Sequence, residues 1–187
     1  MPRAALLLLG LLAALTAGCE EASAPPVELV VGVGEPVLFK PQVAFAEYVE
    51  LPGLRNELRI TLASYEASCE RFIPPEAGQA VVTVVISTPP SLAIQPGSYT
   101  WAGPELRGLS GSVQEHPVAE PTARIGAKSY LFGPGGGVQL QVLNLDQYGE
   151  VSGILSFEGP ATAQHGATRI RGRFRAKICR SNRAPVK

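Results

Sequence analysis

The sequence predicts an all-β fold: a single antiparallel β-sandwich or barrel-like domain of about eight or nine strands. Three observations carry this expectation. Apolar residues alternate, or run in short β-branched stretches, and no segment shows a 3.6-residue apolar stripe. Twenty glycines and seventeen prolines cut the chain into short extended pieces. A chain of 187 residues, less a short N-terminal segment, makes one domain.

The strands are expected in this order. Val27 to Val33 is apolar and β-branched, and Val37 to Val49 alternates loosely, with Pro41 at an edge or bulge. Leu58, Ile60 and Leu62 alternate with Arg59 and Thr61, as a half-buried strand does. Ala80 to Ile86 is a continuous apolar run, the pattern of a central strand covered on both faces. Gly97 to Trp101 follows the turn signal Gln95-Pro96-Gly97, and Ala123 to Phe132 reads as one further strand. Leu106 to Thr122, with Pro117 and Pro121, reads as a long surface loop. Gly133 to Gly137 turns the chain into Val138, Leu140 and Val142, which alternate with Gln139 and Gln141. Val151 to Phe157 and Thr168 to Cys179 complete a three-strand meander.

The N-terminus differs from all of this. Arg3 is followed by an apolar run, Ala4 to Ala17, and then by Gly18-Cys19-Glu20-Glu21. About fourteen apolar residues are too few to span a bilayer as a helix, which takes roughly twenty. Their length and flanks fit a cleavable export signal. Thr16-Ala17-Gly18-Cys19 resembles the lipobox of bacterial lipoproteins, with Leu15 displaced by one position from the usual leucine. The resemblance implies a signal peptide over 1–18, cleavage before Cys19, and attachment of diacylglyceryl and acyl (palmitate-type) chains to Cys19. It further implies a lipidated N-terminus and short tether over 19–26, and a β domain over 27–187. Glu20 stands where an aspartate marks inner-membrane retention in that family, which points to the outer membrane of a Gram-negative cell envelope. The seven residues after Cys19 reach at most about 25 Å, so the domain is held close to the lipid surface.

Formal charge is zero but unevenly spread. From Glu20 to Glu120 there are thirteen acidic and five basic residues; from Pro121 to Lys187 there are three and ten. A neutral total on an exported chain argues against nucleic acid as a partner. Besides Cys19 the chain has Cys69 and Cys179. Two cysteines in an exported domain are most simply one bridge; two buried thiols or a metal site are the alternatives.

The C-terminal part resembles a pattern of uncharacterised β-rich envelope lipoproteins. It is carried by Gly137-Val138-Gln139-Leu140, Gly149 to Leu155 and Gly172 to Cys179, with the earlier Cys69 and Pro96-Gly97-Ser98-Tyr99. That resemblance implies a secreted β domain with a late cysteine, and no activity.

The sharpest candidate site is the last strand. Arg169, Arg171, Arg173, Arg175 and Lys177 occupy every second position, with Ile170, Gly172, Phe174, Ala176 and Ile178 between them. Alternation on a strand puts the five cations on one face, about 6.5–7 Å apart. Such a row suits anionic lipid headgroups, lipopolysaccharide phosphates, an acidic glycan or an acidic envelope protein. It also suits a solvated face paired with acidic neighbours (Asp146, Glu150 and Glu158 lie nearby in sequence, and the acidic N-terminal half supplies more), or an edge strand guarded by charge.

Other patterns point to structure. Tyr99 and Trp101 share one face of a short strand and fit the core better than a sugar platform. His116, His165, Cys69 and Cys179 lack metal-ligand spacing. Gly32 and Gly34 do not make a dinucleotide fingerprint, and Gly133 to Gly137 lacks the lysine of a phosphate loop. Ser110 is not in a nucleophile elbow, and Glu66 and Glu70 have no pocket signature around them. The expectation is therefore a non-enzymatic, membrane-anchored binding or scaffolding domain without a cofactor. The alternative is an envelope hydrolase acting on glycan or ester.

Overall fold

The computed structural model describes residues 27–31, 39–103, 115–159 and 167–182. Ten strands lie among them: β1 (Glu28–Val31), β2 (Val43–Leu51), β3 (Arg55–Ala63), β4 (Ala80–Thr88), β5 (Gly97–Thr100), β6 (Val118–Ile125), β7 (Lys128–Leu131), β8 (Gly136–Leu143), β9 (Glu150–Gly159) and β10 (Thr168–Asn182). Nine form one continuous path, β5-β8-β9-β10-β2-β3-β4-β6-β7, and β1 pairs with β10 beside it. The sheet curls into an open half-barrel, in keeping with the all-β, barrel-like class expected from the sequence. Every pairing is antiparallel except β10 with β2.

The alternation read from the sequence fills the inside of the curl. Leu58, Ile60 and Leu62 of β3, Val82 and Ile86 of β4, and Leu155 and Phe157 of β9 are fully buried, as are Ile170 and Ile178 of β10. Burying a side chain of this size stabilises by about 1.5–3 kcal/mol before ordering costs. Tyr99 and Trp101 belong to this core. Trp101 also ties the two ends of the path together. It follows β5, and its indole Nε1–H donates to the carbonyl of Phe132, just after β7, at 3.0 Å. The Phe132 ring meets Phe157 of β9 with centroids 6.4 Å apart, so the β7 end of the path is held to β5 by the indole bond and to β9 by the ring contact.

At Gly153 two strands approach too closely for any side chain. A Cβ there would lie 2.2 Å from the carbonyl oxygen of Gln139 on β8.

The β6–β7 region departs from the sequence reading. Val118 to Thr122, expected in a loop, form the first part of β6, and Ala123 to Phe132 holds a hairpin rather than one strand. Pro121 pairs with Val84 of β4, but the β7 ladder begins only at Thr122. The proline thus faces a stretch where no donor is needed. Gly126, at φ 54, turns the hairpin.

A second, smaller core lies on the outer face. After β3 the chain folds back over the sheet, so that Tyr65, Ala67 and Cys69 pack on Phe45, Ala63, Val81 and Cys179. The Tyr65 hydroxyl donates to the Ile73 carbonyl at 2.7 Å and pins the far side of this flap. The flap explains why Thr61, outward on β3, is buried, and why Val81 at the start of β4 is covered on that side as well.

Candidate binding face on β10

Cys69 and Cys179 form a disulfide with a Cα separation of 6.2 Å, within the ordinary range. It clips the flap to β10. A bulge between Ile178 and Arg180 shifts the register against β2, so that Cys179 and Arg180 both lie on the outer face.

β10 presents the expected alternation. Ile170, Phe174, Ala176 and Ile178 are buried, whereas Arg169, Arg171, Arg175 and Lys177 are exposed and Arg173 is half-buried. The strand lies between β9 and β2; it is paired on both sides at Arg169, Arg171 and Lys177 but only with β9 over 172–176, so Arg173 and Arg175 stand at an open edge. The positions opposite the row on β9 are Glu158, Ser156, Ile154, Ser152 and Glu150. On β9, carboxylates thus occur only at the two ends; on the other side, Glu28 of β1 is the register partner of Arg171. Arg175 Nη2 reaches Glu150 Oε2 at 2.7 Å, and beyond the row Arg180 reaches Glu47 at 3.5 Å. Both arginines are largely exposed, and such surface pairs contribute about 0–1 kcal/mol. Among the described residues, Arg169, Arg171, Arg173 and Lys177 make no ion pair.

Arg173 differs from the others. Its Nε is buried without a hydrogen-bond partner, and an unpaired buried donor costs about 1–3 kcal/mol. It faces a gap in the ladder. On the side away from β9, β10 pairs with β1 at Thr168 to Arg171 and with β2 only from Lys177 onward. Between them opens a groove of about 630 Å³, rimmed by Arg173, Arg175 and Lys177 and floored by Val27, Ala44, Leu62 and Phe174. Its volume is in the range of small-molecule sites.

The remaining candidates do not join this face. His116 is exposed on the segment before β6. Glu66 and Glu70 are exposed on the flap. Cys19, Ser110 and His165 lie outside the described residues. Among the described residues no cluster of histidine, cysteine, aspartate and glutamate could hold a metal ion, and no helix is long and apolar enough to cross a membrane.

Glu150, one of the acidic neighbours that the sequence reading named, is the partner of Arg175; Glu47, the partner of Arg180, was not singled out. The sequence reading also missed four exposed apolar side chains around β10: Phe72, Ile73, Val142 and Tyr148. Tyr148 carried a signal in hindsight. It precedes Gly149 in a polar turn, a position where a bulky residue is unexpected, and it takes a left-handed φ of 65.

No family model, curated protein or solved structure matches this chain.

Proposed function

We propose that this chain is a lipid-anchored protein of the cell envelope, held in the outer membrane of a Gram-negative cell through Cys19. Its β domain is a non-enzymatic binding or scaffolding module, and the outer face of β10 is its contact surface for anionic headgroups. An acidic glycan or acidic envelope protein is met by the same chemistry.

The observation that carries this reading is the cation row. Four of its five members make no ion pair among the described residues, and Arg169, Arg171 and Lys177 lie where β10 is paired on both sides, so their charge protects no edge. The position of Val27 adds to it. Val27 lines the groove beside Arg173, and it is eight residues from Cys19, a distance the chain spans in at most about 29 Å. An anchor at Cys19 therefore tethers the domain beside its most cationic face.

Two measurements test the reading. A palmitate analogue labels the full chain and fails to label Cys19→Ala; persistent labelling would remove the anchor. Changing Arg171 and Arg173 to Gln in the Cys19→Ala chain lowers binding to anionic vesicles about thirtyfold, taking roughly 1 kcal/mol per cation near a charged surface. Binding that is unchanged by these substitutions, and by salt, refutes the contact face.

A further inference from the structure

Six large apolar side chains are exposed among the described residues: Phe72, Ile73, Leu92, Leu131, Val142 and Tyr148. Four of them surround the C-terminal half of β10. On one flank, the Tyr148 amide donates to the Ile178 carbonyl at 2.8 Å. Val142 of β8 stands opposite Ser152, which stands opposite Arg175. On the other flank, Phe72 shares an outer-face cavity with Phe45 and Cys69, Ile73 follows it, and Cys69 is bonded to Cys179. Arg175, Lys177 and Arg180 lie between the flanks.

The backbone that carries two of these side chains, Tyr148 and Phe72, is fixed. Tyr148 is 73 % exposed and sits in the left-handed region at φ 65, a conformation that costs a bulky residue of order 1 kcal/mol. The Asp146 amide, bonded to the Asn144 side chain at 3.0 Å, and the Gly149 amide, bonded to the Asp146 carbonyl at 2.8 Å, fix this turn. Phe72 is 48 % exposed although the flap that carries it is stapled and pinned.

We infer that this face docks on a bilayer, with Tyr148 and Val142 on one flank and Phe72 and Ile73 on the other entering the interfacial layer. Lys177, and Arg175 and Arg180 on exchanging their exposed pairs with Glu150 and Glu47 for lipid phosphate, meet the anionic headgroups between them. The inference rests on the membrane-contact reading of β10 and adds an apolar component to it. Aromatic residues settle at the headgroup level, and interfacial binding combines buried apolar area with attraction to anionic lipid. Single apolar side chains set among cations suit such a layer. A protein partner's hot spot would be a contiguous apolar patch. The groove beside Val27, toward which Cys19 is tethered, opens on the same half of β10.

The test uses the full chain reconstituted into phosphatidylcholine–phosphatidylglycerol vesicles whose acyl chains are brominated near the headgroup. Three variants each add one tryptophan: Tyr148→Trp, Phe72→Trp and, as the distant reference, Leu131→Trp. Leu131 packs its backbone near Gly159, at the other end of β9. The unsubstituted chain supplies the Trp101 background. The expected result is quenched, blue-shifted emission from positions 148 and 72, surviving high salt, with none from 131. Changing Tyr148 and Phe72 together to Ser lowers vesicle affinity of the Cys19→Ala chain about tenfold, for two partly buried rings.

A chain that floats with the vesicles but is quenched at 148 or 72 no more than at 131 overturns the docking alone. A chain that does not float overturns the membrane reading on which it rests. A blue shift without lipid, accompanied by dimers in sedimentation, assigns the face to a second copy and overturns the docking.

Discussion

Removing the staple gives the most direct test of how the outer face is held. The bridge joins residues 110 apart in sequence. In the chain-entropy treatment a closed loop of that length withdraws about 16 cal/mol/K from the unfolded ensemble, or about 4.8 kcal/mol at 25 °C. The native side loses little, because both cysteines border a packed cluster that small side chains can still occupy. Cys69→Ala with Cys179→Ala should therefore destabilise the domain by about 4–5 kcal/mol, equivalent to roughly 10–20 °C in Tm for a domain of this size. Urea unfolding of the purified chain, oxidised and double-mutant, reads this directly. The slope should rise as well, since the uncrosslinked unfolded chain exposes more surface. A loss below about 1 kcal/mol with an unchanged slope would refute the reasoning, because it would mean that the two chains unfold to equally restricted states. Reduction of the native chain should reproduce the double mutant.

Two further outcomes follow from the sheet and the flap. Gly153→Ala should cost about 1–3 kcal/mol, since its Cβ would fall 2.2 Å from the Gln139 carbonyl oxygen; a wild-type urea midpoint would show that β8 and β9 can separate there at no cost. Burial of Tyr65 raises its phenol above 10.0, and nearby Arg124 opposes the shift. The folded chain therefore keeps this proton at a pH where the unfolded chain has lost it. The stability this group contributes is complete below pH 10 and falls as pH rises through the folded value. Tyr65→Phe should remove that alkaline step while costing about 1 kcal/mol at neutral pH for the lost bond to Ile73; a step that persists in the variant would place its origin elsewhere.

Much of the β10 face was legible because one side of the strand is solvated and the other lines the core. Ile170, Phe174 and Ile178 against Arg169, Arg173 and Lys177 is a period that only a half-covered strand needs. Its place in the sheet was not legible. Charge along a strand fits an edge as well as a centre, and pairing with β2 depends on a register that no local pattern encodes. The β6–β7 hairpin was hidden for a different reason. Pro121 signals a loop, yet it lies where no partner strand requires its missing donor. The flap was invisible because Tyr65, Ala67 and Cys69, although they alternate with Glu66, Ser68 and Glu70, form too short a run to say what they cover; they are arranged by the sheet beneath them and by the bridge. Tyr148 and Val142 escaped notice since isolated exposed apolar residues carry no pattern. Only the fold shows that they gather around one strand.

The forked pairing of β10 also governs when the domain can form. β10 is the partner of β1, β2 and β9 at once, and it follows all three in the sequence. As the chain emerges from its N-terminus, β1 has no partner and one side of both β2 and β9 stays open until residues 168–182 arrive. Contacts that join the first strand to the last give a high contact order, and folding of such topologies is slow. Until β10 joins, the edges of β2 and β9 that it covers are exposed to other chains, so closure of the sheet waits on residues 168–182 and on no earlier strand.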